Sequence, residues 1–342
     1  MLGDQAPIFG RPTPPSPPHQ PGRPTGVTGI LATKGGTAVP WIRSFKISDN
    51  QSPLPQDRVF ANFNYFNNVN YAIDRKFNAP VNGIQIYRYL GGFEKTFLNG
   101  LASVGLLESI NNLSAVSANS SLGGTHTAMG DLSLFTKLVL YQSWEDNQAT
   151  NALGGFGYPA QLSGGRNGGL ISAGMAVSTP TGPGGFAGAG FSKSYRDVGL
   201  QPFLGYFYSR GNFYMQGFEA IDVPTDPNDV TMLFNDIGFG YYLYRNPNMD
   251  SFITAFAPTF EVHANVPLNH HDIGNVNDPV GTATTVDLTY GANVQFGQRT
   301  VLLLGAVTPV TGPRPYAVEA LALLNFYFGG RARPRALPMA GN

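Results

Sequence analysis

Glu261 and His263 stand two residues apart in a stretch where polar and apolar residues alternate. In an extended strand both side chains therefore point to the same side. A carboxylate and an imidazole so placed could bind a solute or a cation, or could pair with a lysine or arginine across an enclosed polar space. Three other groups have residue types that do chemistry. His270-His271-Asp272 offers metal-ligating types, but adjacent side chains of an extended segment point apart. A metal centre needs three or four converging ligands, so none is expected. Gly184-Gly185-Phe186-Ala187-Gly188-Ala189-Gly190 resembles a phosphate loop only in its glycines. It lacks the Gly-Lys-Ser/Thr ending and a following helix, and reads as a flexible loop. His126 lies in the Ser/Asn-rich stretch 111–129 with Ser133 nearby. No nucleophile motif surrounds either, and a hydrolytic triad needs both to converge.

The elements that must hold these residues follow from composition and periodicity. The chain has 342 residues with 12% charged, about half the usual share of roughly 25%. It has 43 glycines, 27 prolines, 40 Phe and Tyr together, and no cysteine. The 21 basic residues balance the 21 acidic ones, so the electrostatic footprint of a nucleic-acid binder is missing. The aromatic content excludes a disordered chain. The lack of cysteine excludes disulfides, thiolate metal sites and a cysteine nucleophile.

A membrane-spanning helix needs ~20 mostly apolar residues. The uncharged run 167–192 is broken by Pro180 and Pro183, and the apolar run 301–310 is too short. What the sequence does carry is period two. Val286, Leu288, Tyr290, Ala292, Val294 and Phe296 alternate with Thr285, Asp287, Thr289, Gly291, Asn293 and Gln295. Twelve such runs are expected: 58–66, 84–98, 101–110, 130–141, 169–179, 198–209, 212–222, 234–245, 251–265, 284–296, 299–308 and 316–328. Most are ~10–14 residues long, which suits tilted membrane strands better than the ~5–6 of soluble sandwiches.

The connections alternate between short and long, as in outer-membrane barrels with short periplasmic turns and long outer loops. Long loops are expected at 67–83, 111–129, 223–233 and 266–283. The stretch 142–168 breaks the alternation. An even strand number places both termini on the side of the short turns. The expected fold is all-β: a closed antiparallel transmembrane β-barrel of about 12 strands, residues 58–328. It is preceded by a Pro-rich N-terminal arm, 1–57, and followed by a C-terminal tail, 329–342, both periplasmic.

In such a barrel the outward face is apolar and the inward face can be polar. Leu132, Leu134, Leu138, Val286, Leu288, Val294 and Phe326 are the lipid-facing candidates. Asp131, Lys137, Asp236, Glu261, His263, Asp287 and Glu319 are the pore-lining candidates. A one-residue slip of register would exchange the two sets locally.

Eleven of the 27 prolines fall within residues 1–57, a composition that favours polyproline II and a semi-rigid spacer. Two readings stand: a solvated linker, or a segment around Trp41–Ile47 that docks against or inside the barrel. The sequence shows no basic-then-apolar export signal at its start. Removal of that segment or a misassigned start would reconcile this with an outer-membrane location.

Gly130-Asp131-Leu132-Ser133-Leu134 with Lys137, and later Ala176-Val177-Ser178-Thr179-Pro180-Thr181-Gly182, resemble the outer-membrane transporter-like family named for the meta-pathway of phenol degradation. Pro55-Gln56-Asp57-Arg58-Val59-Phe60, Gly92 to Leu98 and Pro258 to Leu268 are similar to a planctomycete-type subgroup of such barrels. The resemblance spans roughly residues 55–328. It implies an outer-membrane barrel passing small, including aromatic, compounds, and no enzyme of phenol breakdown. One departure is the fourteen residues after Phe328, where barrel assembly signals usually end in an aromatic residue.

The function expected is passive or selective diffusion of small solutes across a Gram-negative outer membrane, without enzyme activity, metal or cofactor. The expected partners are outer-membrane lipid, a small-molecule solute and the barrel-assembly machinery, and no nucleic acid. A structural or interaction barrel with a plugged lumen is the alternative, and a membrane-embedded lipid-modifying enzyme is the third reading.

Overall fold

The computed structural model describes residues 46–49, 52–77, 81–117, 123–144, 167–189, 197–248, 250–271 and 281–328. Fourteen strands form one antiparallel sheet that closes on itself. They are β1 Arg58–Val69, β2 Val81–Phe97, β3 Ala102–Ser117, β4 Gly124–Met129, β5 Ser133–Trp144, β6 Gly168–Ser178 and β7 Gly199–Arg210. The rest are β8 Phe213–Pro224, β9 Met232–Tyr241, β10 Tyr244–Arg245, β11 Ile253–Pro267, β12 Thr285–Phe296, β13 Thr300–Pro309 and β14 Val318–Tyr327. Strands β4 and β5 share one stave beside β3. Strands β9 and β10 share another beside β11. The barrel thus has twelve staves and closes by pairing of β1 with β14, Arg58 opposite Tyr327. Closure leaves no edge with unpaired backbone groups.

Period-two alternation builds the wall. In β12 the buried Thr285, Asp287 and Thr289 alternate with half-buried Val286 and Leu288. In β14 buried Glu319, Leu321, Leu323, Asn325 and Tyr327 alternate with outward Val318, Ala320, Ala322, Leu324 and Phe326. Leu134, Leu138 and Phe326 are each 46% exposed on the outer surface, and Val294 is half-buried on it; Leu132 is half-buried ahead of β5. Outward rings meet near both ends, Tyr65 with Tyr87 at one and Phe93 with Phe328 and Phe252 with Phe296 at the other, while Phe63 meets Tyr89 at mid-strand. Glu108 and Glu219 also stand on the outer wall, between apolar neighbours.

One end carries Arg58, Tyr327 and the short connections 98–101, 211–212 and 297–299. This is the terminal end, and the opposite one is the long-loop end. Two expected loops at the long-loop end are partly regular. The stretch 67–83 contains the end of β1 and the helix α1, Tyr71–Phe77. Within 111–129, β3 runs on to Ser117 and β4 pairs with it, Asn112 donating to Thr127 Oγ1 at 2.6 Å. Here the outward Asn112 and Ser114 are polar before the exposed Val116, so the apolar pattern is interrupted inside the strand. The glycine-rich 184–189 is ordered rather than loose: Phe186, Ala187 and Ala189 are buried in one cluster with Phe66, Leu113 and Tyr316. Most of 142–168, the tail 329–342, Asp272 and most of the arm lie outside the described residues.

The inside is full. Inward aromatic rings lie over glycines of the neighbouring strand: Phe60 over Gly92, Phe135 over Gly105, Phe203 over Gly174, Phe218 over Gly205 and Tyr214 over Gly240. Each is a directly paired register position. A Cβ at these glycines would meet the ring, so glycine makes the room that an aromatic side chain fills. Residues 46–49 and 52–57 also lie inside and are buried, so this part of the arm docks in the barrel and is not a solvated linker.

Candidate functional site

Polar side chains from seven staves converge on the N-terminal segment in the interior. Strand β1 turns Arg58, Asn62 and Asn64 inward, β2 Arg88 and Glu94, β5 Lys137, β9 Asp236, β11 Glu261 and His263, β12 Asp287, and β14 Glu319. They form three linked groups.

Nearest the terminal end, Glu94 is the hub. Arg58 Nε donates to Glu94 Oε2 at 2.8 Å, and Lys137 Nζ lies 2.8 Å from Oε1. Ser103 Oγ donates to Oε1 at 2.7 Å, as does the Gln56 backbone N–H at 3.1 Å. Lys137 also donates to the Leu54 carbonyl at 3.3 Å. In a second group, Asp49 accepts from Asn62 and Asn64 at 3.0 and 2.8 Å and from Arg88 at 3.1 Å. Lys46 lies 3.4 Å from the same carboxylate and pairs with Glu319. In the third group, His263 Nδ1 is 2.9 Å from Asp236 Oδ1, and its Nε2 is 2.9 Å from Thr289 Oγ1 and 3.3 Å from Glu261 Oε2. The backbone N–H of Ser48 donates to that Glu261 oxygen at 3.1 Å. Register explains the row: His263 lies opposite Asp236 on β9 and Asp287 on β12.

Buried charges are retained only when paired and hydrogen-bonded, and each group here supplies that. The N-terminal segment is one of the partners in all three. One cavity beside it, bordered by Ile47, Ser52, Gln56, Tyr214, Glu261 and Asn325, is about 50 Å³. One water needs roughly 10–15 Å³ of such volume, so a few waters fit and an organic solute does not.

Six of the seven inward candidates, Lys137, Asp236, Glu261, His263, Asp287 and Glu319, are buried in this interior. Asp131 is elsewhere. It precedes β5, where strand parity no longer holds, and its Oδ1 accepts from the Gly182 N–H at 2.8 Å. The Leu132 N–H donates to Thr181 Oγ1 and its carbonyl accepts from Thr179 N–H. The segments 130–134 and 176–182 thus clasp each other at the rim between β5 and β6. Arg58, Asn62, Asn64, Arg88 and Glu94 were not among the candidates, and neither were Lys46 and Asp49. Outside the strands, the Asp57 carboxyl is pushed up by partial burial. Hydrogen bonds from Lys95 and from the Thr96 hydroxyl and N–H outweigh this and hold it below its ordinary value.

The other chemistry-bearing residues do not assemble. His126 pairs in register with Leu113 and Ser133 with Leu107, six residues apart along β3, or ~20 Å at ~3.3 Å per residue. His270 Nε2 faces the Pro227 carbonyl at 3.4 Å. Among the described residues no group of three or more His, Asp or Glu could hold a metal ion.

No protein-family model matches the sequence, and no curated protein sequence does. Solved structures do share the fold. The COG4313 outer membrane channel from Pseudomonas putida F1 is 13% identical, with a TM-score of 0.50 over 80% of this chain and 97% of that one. The beta domain of the Bordetella autotransporter BrkA is 10% identical, with a TM-score of 0.44 over 80% of this chain and all of that one. The KdgM porin is 8% identical, with a TM-score of 0.39 over 79% and 99%. At these identities the likeness is one of fold: the chain has the closed barrel of outer-membrane proteins.

Proposed function

We propose that this protein is a bacterial outer-membrane channel for small polar solutes whose resting state is shut by its own residues 46–57. The observation that carries this is the position of that segment inside the barrel, where it supplies partners to wall charges of three separate groups. The apolar outer wall, the aromatic rings near both ends and the shared barrel fold support the membrane placement. The long-loop end is then the outer one. The short motifs at 130–137 and 176–182 support a place in the family named for the phenol meta-pathway. Outer-membrane lipid and the barrel-assembly machinery are its expected partners, and it has no catalytic role.

With the segment displaced, the wall would carry Glu94, Asp222, Asp236, Glu261, Asp287 and Glu319 against Arg58, Arg88, Lys137 and Arg245. Excess carboxylate raises the local concentration of cations, so the open passage prefers them. A permanently plugged structural barrel is the second reading. It is favoured by Ile47, which packs in one apolar cluster with Phe60, Phe135, Phe203 and Phe218 of the wall.

Planar-bilayer recording separates the two. The full chain and a variant lacking residues 1–57 are compared, with folding of each checked by heat-dependent gel mobility. Brief or absent conductance for the full chain and discrete steps for the variant are expected. A folded, inserted variant that stays silent overturns the channel.

A further inference from the structure

The three charge groups differ in what departure of the N-terminal segment leaves behind. Glu94 keeps two cations of the wall, Arg58 and Lys137. Asp236 and Glu261 keep His263. Glu319 keeps none: Lys46 of the segment is its only ion-pair partner among the described residues. Most of what surrounds the Lys46 ammonium nevertheless belongs to the wall and is held there by the wall. Asn64 Nδ2 donates to Glu319 Oε1 at 2.6 Å, which leaves Oε2 to face Lys46. Phe66 stands directly opposite Glu319 in register, and its ring centroid is 5.4 Å from Lys46 Nζ. Tyr316 meets that ring edge-on, with centroids 5.3 Å apart. A second wall carboxylate, Asp287, has Oδ2 tied to Asn265 at 3.0 Å and Oδ1 buried with no hydrogen bond. Asp287 is 1% exposed, and Lys46 is the cation that acts on it most strongly. Buried acceptors are normally satisfied, so this pocket has a place for a further donor.

We propose that the wall around Glu319, Asp287 and Phe66 is a binding site for an alkylammonium group, filled by the chain's own Lys46 while the barrel is shut. A small primary amine is then the class of solute that the open barrel holds there. The charge balance supports this. Without the segment, Glu319 and Asp287 face Arg88, which Asn64 Oδ1 holds at 3.2 Å and which lies 5.3 Å from the Phe66 ring. Two carboxylates against one guanidinium leave a negative charge for a ligand to meet. The donor set selects among cations. A hard metal ion takes about six or more oxygens, whereas one side of this site is the face of a ring. An ammonium has three N–H donors, so it can meet carboxylates and still lie against an aromatic face. The cluster of Phe66, Ile84, Ile86, Leu113 and Tyr316 offers apolar surface, along which a methylene stem can lie as a lysine stem does. The solute class rests on the channel reading above, whereas the site itself does not.

Lys46→Ala in the full chain empties the seat while Asp49 stays in place, and n-propylammonium has the atoms so removed. The variant, its folding checked by heat-dependent gel mobility in non-ionic detergent, is titrated in a calorimeter with n-propylammonium chloride and, as control, potassium chloride. Saturable binding of the amine and none of potassium is expected. The wild-type chain, whose seat is taken, should bind neither over the same range. Adding Glu319→Gln to Lys46→Ala should weaken binding by about tenfold or more, as loss of a charge-assisted hydrogen bond does. Absence of amine binding to Lys46→Ala, or equal binding to the double variant, overturns the site. If Lys46→Ala folds only in part, its refolding yield is compared in the two salts: a rise confined to the amine supports the site, and equal yields overturn it. The amine is then added to the wild-type chain in a planar bilayer, at concentrations that compete with a tethered lysine. A saturating rise in open fraction with the amine, and not with potassium, is expected. A barrel that stays silent while the variant binds the amine overturns the solute class and leaves the site. A barrel that conducts while the variant binds nothing overturns the site and leaves the channel.

Discussion

Glu319 on the inner face of β14 and Lys46 ahead of β1 form an ion pair inside the barrel, although 273 residues separate them in the chain. Both are fully buried. Removing one partner of a buried pair leaves the other uncompensated, at a cost of about 3–5 kcal/mol. Lys46→Met is therefore expected to loosen the segment's hold and raise the fraction of time the barrel conducts in a planar bilayer. The double variant with Glu319→Met should return it towards the closed state. Unchanged gating in the single variant would show that the pair does not hold the plug.

The two faces of β12 make a second test. Val294 is on the outer wall, whereas Asn293 turns inward and donates to the Tyr214 hydroxyl at 3.2 Å. Arginine on the lipid face costs about 2–4 kcal/mol near mid-membrane. Val294→Arg should prevent membrane assembly, and Asn293→Arg should leave it intact. Heat-dependent gel mobility of both variants reads the outcome, and equal tolerance would refute the face assignment.

Gly174 faces the ring of Phe203, and a Cβ there would also press on the Thr136 carbonyl. Gly174→Ala overpacks the interior, an error that typically costs about 1–3 kcal/mol. Its unfolding midpoint should fall, and Phe203→Leu in the same chain should recover part of the loss. Gly184, with open space around it, is the control: Gly184→Ala should leave the midpoint where it was.

Asp74 in helix α1, on the connection between β1 and β2, is buried with neither carboxylate oxygen hydrogen-bonded. Burial alone pushes its carboxyl up to about 8, from an unfolded value of about 4. Between those two values the docked helix holds a proton that the undocked one releases, so docking weakens as pH rises through that window. Amide exchange in Tyr71–Phe77 should be faster at pH 8 than at pH 5 beyond the intrinsic rate change. Asp74→Asn should abolish the difference, and a surviving difference would place its source elsewhere.

Where one face was apolar and the other polar, the sequence located strands to within a residue or two. The run 284–296 is β12, Thr285–Phe296, and 299–308 is β13, Thr300–Pro309. The same contrast points Glu261, His263 and Asp287 to one side. It fails on β1 and β2, where both faces are rich in apolar and aromatic residues: Phe60 and Phe66 inward, Phe63 and Tyr65 outward, Ile86 and Leu90 inward, Tyr87 and Tyr89 outward. Arg58, Arg88 and Glu94 therefore gave no sign of their direction. Lys46 and Asp49 had no period to be read from at all, because a 3-10 turn in a proline-rich stretch is held by what surrounds it. Asp131 misled for the opposite reason, since alternation was extended one turn past the start of β5.

The β1–β14 seam closes around a segment that precedes β1 in the chain. Contacts between chain ends are the most costly in loop entropy and form late. The segment must therefore already lie within the curved, still open sheet when the last strand arrives, and Glu319 reaches Lys46 only as that strand docks. The order of synthesis and the order of enclosure are thereby coupled. A chain that closed first would have to admit residues 46–57 to a finished ring, so a pulse-chase of assembly should find no intermediate that is sealed and empty.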